Sequence, residues 1–514
     1  MKRVLAALAA AVAAALGIGV AAPAPAGPGG AISTDFSPAD TLNGVVYAAQ
    51  PITVAGTQKY IVGGNFTDAG SVGNDYITIL NADGSVYPGF SPANGLNGPV
   101  SSLQAITVSG EQKFLIGGGF TDLGAADNDR VAVLNSDGST YTGFSPGARF
   151  NSTVSSVAAF TVDGVNKYLV GGAFTDVGGT TNDHITLLHA NGVIDPSFAP
   201  GPGINGVVRS IAPIRIDGQI KFLVGGDFSN AGGSNDAIAV LNLNGSSYSG
   251  FAPGDEIGGV ITSALPLTVG GQLKYLVTGD FNDVGAARNN RVAMFNPDGT
   301  VFTDFSPLRS LNSTAYAAVP VTIDGVRKYL VAGSFTDVGP AANDYLTVFN
   351  ADGSIYDGFA VGPTFSFAIL EASTVVVAGH TRYLVGGMFS NAGTAANDAV
   401  ALVDAPVITP PASARMLRAI GTPRANVFTI RWTVPQGTSV TQPVEYYRLT
   451  VRRAGRAQLL INVPLAGNRT AVELRRARLT AGLPPGRHLF EVQVVAGNKS
   501  GTGPPAVARF VAVR

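Results

Sequence analysis

A period of 54 residues runs through most of the chain and constrains its fold more than any other feature. Phe66, in Gly63-Gly64-Asn65-Phe66-Thr67-Asp68, recurs as Phe120, Phe174, Phe228, Phe281, Phe335 and Phe389, at intervals of 54 broken once by 53. Phe90, in Gly89-Phe90-Ser91-Pro92, recurs in step as Phe144, Phe198, Phe251, Phe305 and Phe359. Lys59 opens the same strand as Lys113, Lys167, Lys221, Lys274 and Lys328, and Arg382 takes the seventh place. A unit repeated at this length is one supersecondary module, stable only against its neighbours.

Each unit reads as four short strands. Val45 to Val54 ends in the hairpin signal Ala55-Gly56, and Lys59 to Phe66 ends at a glycine pair. Tyr76 to Asn81 alternates, and the turn Asn81-Ala82-Asp83-Gly84 leads into a fourth strand over Ser85 to Phe90. Four antiparallel strands per unit describe a propeller blade, so the expected class is all-β, a seven-bladed β-propeller over 31–405. The seventh unit stops at Val400 to Asp404 without its Gly-Phe-Ser-Pro segment. Ile32 to Pro38 holds the missing piece, with Phe36 lying 54 residues before Phe90. This N-terminal strand is therefore expected to pair beside Val400 to Asp404 and close the ring, removing an open edge.

The run Lys-Tyr-Ile-Val-Gly-Gly-x-Phe-Thr over Lys59 to Thr67, with Asn81 to Ser85 and Gly89 to Pro92, resembles the delta-60 repeat. The resemblance implies a propeller from a large secreted or surface bacterial protein, with no established biochemical activity. The Arg-Ile-Ala usual in that family survives at Arg130-Val131-Ala132 and Arg291-Val292-Ala293, and is mostly Asn-Asp elsewhere. The glycine pair also resembles kelch repeats, without the Tyr and Trp that should follow.

The two ends of the chain differ in character. Lys2 and Arg3 precede an uncharged Ala/Leu run, so 1–26 reads as a secretory signal with cleavage after Ala22 or Ala26. Pro406, Pro410 and Pro411 mark a stiff linker over 406–411. Beyond it, 412–514 resembles a fibronectin type III domain on Trp432, Tyr446-Tyr447, Leu483 to Gly486 and Ala496 to Gly501. Leu489 and Phe490 stand near the place of that family's corner tyrosine. This segment holds 16 Arg and Lys against 3 Glu, whereas Ala31 to Pro411 holds 15 against 31 Asp and Glu. A basic sandwich follows an acidic ring.

Absences bound the chemistry. With no cysteine there is no thiol catalysis, no Cys-based zinc site and no disulfide. Of four histidines, His184 and His189 share a strand at odd separation and face opposite ways. Carboxylates repeat instead of pairing: Asp68, Asp122, Asp176, Asp283 and Asp337 hold one slot, with Asn230 and Asn391. Asp75, Asp129, Asp183, Asp236, Asp344 and Asp398 hold a second, with Asn290. Acid–base catalysis needs two groups in unlike environments, so equivalent copies point to turn capping and to no enzyme. No cofactor is expected; calcium is the alternative, since oxygen ligands abound, although the Asp-x-Asp-x-Asp spacing is missing.

The longer connections, Thr67 to Asp75 and Ser91 to Pro99, are expected on one face. Departures from the repeat there name candidate ligand residues: Arg149, Phe150, Asn151, Asp255, Glu256, Arg288, Asn289, Asn290, Arg309, Phe365 and Phe367. The expected function is a secreted or cell-surface, non-catalytic binding or structural protein, monomeric and without a membrane span once mature. Its partner would be a surface protein or polysaccharide, with an anionic polymer for the basic domain. The alternatives are a lectin, for which the propeller lacks tryptophan, and a polysaccharide-acting enzyme.

Overall fold

The computed structural model describes residues 29–406 and 415–514 apart from short internal stretches, the longest of them 434–443. Two compact units are present, one over Gly29–Pro406 and one in the C-terminal part of the chain.

In the first unit each repeat folds into a three-stranded antiparallel sheet. Repeat one pairs Val45–Val54, Thr57–Asn65 and Ile77–Asn81 in sequence order. The pattern recurs through to Ile369–Val377, His380–Gly387 and Val400–Asp404 in repeat seven. The hairpin between the first two strands puts Ala55 and Gly56 at φ of 49° and 76°. Two successive left-handed residues twist with the strands they join. Tyr60, Ile61 and Val62 are all fully buried, as an unbroken apolar run in a strand covered on both faces must be.

Glycine ends the second strand because the next sheet leaves no room for a side chain. A Cβ on Gly63 would stand 2.7 Å from Val100 Cγ1 of repeat two. The first strand of each sheet lies against the first strand of the next, and Ile369–Val377 lies against Val45–Val54, so the succession of sheets closes on itself. The apolar core lies between sheets: Val46 and Tyr60 of repeat one share a cluster with Leu384 and Val400 of repeat seven. One sheet alone buries too little to persist, whereas a closed row covers every face.

The expected fourth strand is shorter than its sequence suggests. Only Val86 bridges back, to Leu80, and the chain then turns, with Phe90 N–H donating to Tyr87 O at 3.3 Å. The same turn forms in repeat three, where Asp195 stands in place of Tyr87, so the shared physical reason is burial of the phenylalanine that follows. The turn drives Phe90 into the next repeat, edge-on to Phe114 at 6.0 Å. Phe144 meets Tyr168, Phe251 meets Tyr275 and Phe359 meets Tyr383 in the same way.

The N-terminal segment enters this scheme in phase. Ile32 bridges Val403, Ser33 N–H donates to Leu402 O, and Asp404 N–H donates to Ala31 O, both at 2.8 Å. Phe36 is fully buried edge-on to Tyr60 at 5.4 Å, the contact every other repeat makes with its successor. The pairing starts earlier than Ile32: Ala360 N–H donates to Gly29 O, as Ser91 N–H donates to Asp137 O between repeats one and two.

Among the described residues the C-terminal unit consists of two sheets. Arg415–Ile420, Val427–Thr433 and Ala471–Arg475 form one. Leu459–Ala466, Tyr446–Arg453 and Arg487–Asn498 form the other, with Gly501–Thr502 and Ala506–Val513 also pairing to Arg487–Asn498. A short helix, Arg476–Thr480, follows the first sheet. Between the sheets lie Trp432, Tyr447 and Phe490, with Trp432 edge-on to Tyr447 at 5.4 Å. Phe490 is fully buried and Leu489 exposed. Glu491 is clasped by Arg452 Nε at 2.9 Å and by Arg509 Nε at 3.1 Å, and those hydrogen bonds hold its carboxyl below the usual range.

Candidate binding channel

The first strands of all seven repeats line one cavity of about 650 Å³ at the centre of the closed row. Each of these strands carries a bulge, which turns one extra residue toward that space. The bulged residues are Tyr47, Ser101, Ser155, Arg209, Thr262, Tyr316 and Leu370. Immediately after them come Ala48, Ser102, Ser156, Ser210, Ser263, Ala317 and Glu371. The second ring is serine or alanine six times and glutamate once.

Much of the polar wall is engaged in joining neighbouring strands. Ser102 Oγ accepts from Val157 N–H at 3.1 Å, and Ser210 Oγ accepts from Ala264 N–H at 3.0 Å. Gln50 Oε1 and Gln104 Oε1 do the same for Ala105 and Ala159. Arg209 lies 3.8 Å from the Asp227 carboxylate. No cationic side chain pairs with Glu371 among the described residues. Glu371 keeps some contact with the channel, but the surrounding protein strips it of bulk hydration, and its carboxyl is pushed up to about 8.

The repeated lysines have a structural use. Lys59 Nζ donates to Asn81 Oδ1 at 2.7 Å and sits 4.1 Å from the centre of the Tyr87 ring. Lys113, Lys221, Lys274 and Lys328 repeat this over Tyr141, Tyr248, Phe302 and Tyr356. Repeat three replaces the asparagine by His189 and the ring by Asp195, and there Lys167 forms an ion pair with Asp195. Burial alone would raise the Asp195 carboxyl, but hydrogen bonds from Lys167 and Ser197 outweigh it and hold it at about 2.

The outer connections are clasped together. Asn43 Oδ1 accepts from Thr67 N–H at 2.7 Å, while its Nδ2 donates to Thr67 Oγ1 at 2.9 Å. Asn97, Asn151 and Asn312 treat Thr121, Thr175 and Thr336 alike, which brings the two longer connections side by side. In repeat six Asp344 Oδ1 accepts from Asp337 N–H at 2.8 Å, a carboxylate holding a turn.

Three of the residues expected to present a ligand surface are instead interior. Phe150 and Phe365 are 2% and 4% exposed, because they fill the apolar slot held elsewhere by Leu42, Leu96 and Leu311. Each packs edge-on at 4.9 Å, on Phe174 and Phe389. Asn289 is fully buried in the slot of Asn74 and Asn343. Asn151 is taken up by Thr175, and Asn290 is engaged. Phe367 is 52% exposed, 6.5 Å from Tyr345. Arg149, Asp255, Glu256, Arg288 and Arg309 lie outside the described residues, as do Asp68, Asp122, Asp176, Asp283 and Asn391. Among the described residues no three His, Asp or Glu side chains gather as a metal ion would need.

The channel residues lie on the first strands, outside the loops where the repeat's departures are most visible. At the bulge and the position after it, the first strands carry serine, alanine or threonine except at Tyr47, Arg209, Tyr316, Leu370 and Glu371.

Three stretches match a family model. It is described as a domain of unknown function, DUF5122, beta-propeller, and it matches residues 166–198, 217–247 and 274–303. Each match runs from the hairpin or second strand of a repeat into its fourth segment, so the channel-lining strands fall outside all three. A comparison with curated proteins finds no match. Among solved structures, the extracellular domain of the putative hybrid two-component system BT3049 from B. thetaiotaomicron is 11% identical, with a TM-score of 0.36. That alignment covers 91% of this chain and 55% of the other. The human fibronectin type-III domain from fibronectin type III domain containing protein 3 is 16% identical over 20% of this chain and 88% of its own, with a TM-score of 0.16. Among the described residues no helix is long and apolar enough to cross a membrane.

Proposed function

We propose that the chain is a secreted or cell-surface, non-catalytic binding protein: a seven-bladed propeller of the delta-60 type with a fibronectin type III-like domain behind it. The clasped connections are the observation that carries the reading. Asn43 with Thr67, and its copies, tie the connections on one rim of the ring together. Each clasp fixes part of the rim before any contact is made, which lowers the entropic cost of association. The two-sheet core around Trp432 and the sheet order of the C-terminal unit support the second domain. Its excess of arginine favours anionic surface polymer as an attachment partner.

The test is recovery of the full chain from the cell-wall and culture fractions of its own organism, followed by binding of the purified chain to wall polymer across a salt series. Surface recovery and binding that weakens steeply with salt are expected, because exposed charges are screened beyond about 10 Å at 0.1 M. A cytoplasmic protein, or binding indifferent to salt, would refute the proposal, and turnover of a polysaccharide would replace it with an enzyme.

A further inference from the structure

We infer that the central channel binds an organic ammonium ion between the carboxylate of Glu371 and the rings of Tyr47 and Tyr316. The site departs from the repeat in a concerted way. Glu371 belongs to repeat seven, and the first strands of repeats six and one lie on either side of its own. Those two neighbours supply Tyr316 and Tyr47 at the bulge, where repeats two, three and five have Ser101, Ser155 and Thr262. Thus three consecutive strands carry two tyrosines and one glutamate in place of small side chains, with Leu370 at the bulge beside Glu371, all lining the same cavity. Aromatic faces attract a cation through the ring quadrupole, more strongly as water is removed, and a carboxylate supplies the counter-charge. A cavity of about 650 Å³ falls within the range of small-molecule sites.

The surroundings fit this class and no other equally well. The strands packed against Ile369–Val377 bring no cation to Glu371. The first strands of repeats six and one contribute only tyrosines as titratable groups. The second strand of repeat six, which also packs there, carries Arg327 and Lys328 opposite Thr322 and Val321, at the other end of the hairpin from Tyr316. Lys328 is held by Asn350 and Tyr356. On the paired strand, His380 and Arg382 stand opposite Val377 and Val375, whereas Glu371 stands opposite Gly386. Arg209 belongs to repeat four, three strands away around the ring, and Asp227 stands beside it. An unliganded Glu371 holds its proton near neutrality. A bound ammonium ion favours the charged carboxylate, so binding releases a proton and strengthens as pH rises toward the carboxyl's own value. This channel is separate from the outer rim, so either proposal can fail without the other.

The experiment is calorimetric titration of the full chain with tetramethylammonium chloride, in two buffers of unlike ionisation heat. Saturable binding with buffer-dependent heat is expected. Glu371→Gln and Glu371→Ser should each weaken it about tenfold or more and abolish the buffer dependence, while keeping a melting temperature no lower than wild type. Serine is already the natural occupant of this position in repeats two to five. Tyr47→Ser and Tyr316→Thr should weaken it several-fold. Absence of saturable binding, or unchanged binding in Glu371→Gln, overturns the proposal. So does binding of sodium acetate that is lost in Arg209→Gln, which would make the channel an anion site.

Discussion

Arg382 Nη2 donates to Asp35 Oδ2 at 3.3 Å although 347 residues separate them in sequence. The same guanidinium holds Asp404 through Nε at 3.0 Å. One arginine thus ties the last strand of the ring to the ring's N-terminal segment, in the position where five other repeats place a lysine over an aromatic ring. The substitution is concerted, since Ser33 occupies the ring's slot and cannot receive a cation as Tyr87 does.

Closure should depend on burial far more than on this ion pair. Phe36→Ala is expected to cost about 3–5 kcal/mol, the range for a large apolar side chain removed from a core. Asp35→Asn should cost less than about 1 kcal/mol, because the aspartate is 78% exposed and its pairing is screened. Urea denaturation of both variants decides the matter. Equal effects would mean that the segment is held by charge.

Repeat three offers a test of exchangeable partners. Asp195→Ala leaves Lys167 enclosed without its counter-charge and should destabilise by about 3 kcal/mol. Asp195→Tyr combined with His189→Asn rebuilds the arrangement around Lys59 and should recover most of that loss in the same denaturation assay. The wild-type pair also has a pH signature. Asp195 is held at about 2, below its unfolded value, so its contribution is complete above pH ~4 and fades as pH falls toward 2. Asp195→Tyr with His189→Asn should flatten that acid limb.

Glu371 should act in the opposite direction. Its folded value of about 8 exceeds that of an unfolded glutamate, so the native state binds more protons between the two values. Stability therefore declines as pH rises from about 5 to 8, and Glu371→Gln should remove that decline. Melting curves at several pH values give the comparison, and parallel profiles for the two proteins would contradict it.

The glycine at the end of the second strand can be tested by compensation. On Gly117 a Cβ would approach Val157 Cγ1 to 2.8 Å and would also meet Val154. Gly117→Ala alone should cost about 1–3 kcal/mol through overpacking. Adding Val154→Ala should cost less than the sum of the two single changes. Repeat five already carries this solution, with Thr278 at the glycine position and Ala315 at the valine position of the next strand. Strict additivity in a double-mutant cycle would show that the two sites do not touch.

The period made the scaffold legible because every repeat meets the same packing demand, so the sequence prints that demand once per unit. Phe36 announced its place by phase alone, and the structure sets it on Tyr60. The fourth segment is shorter than the alternation of Ser85 to Phe90 suggests, because the chain turns at Tyr87 to bury Phe90 against the next repeat. Phe150 and Phe365 were misread as exposed because a large residue in a loop looks like display until its slot is compared with Leu42 and Leu311. The channel was missed for the converse reason. Glu371 lies inside a regular strand, and no local rule separates a channel-facing position from a core-facing one until the bulge at Leu370 is known.

Gly29 and Pro406 are immediate neighbours, so the ring is entered and left at a single point. A force applied to both ends would not load seven sheets together. It would fall on the few backbone hydrogen bonds that join Gly30, Ala31 and Ser33 to Leu402 and Asp404. The resistance of the whole assembly to being pulled apart is therefore the resistance of that clasp. Joining Gly29 to Pro406 and opening the chain at an exposed hairpin such as Asp163-Gly164 would transfer the load to an ordinary three-stranded sheet.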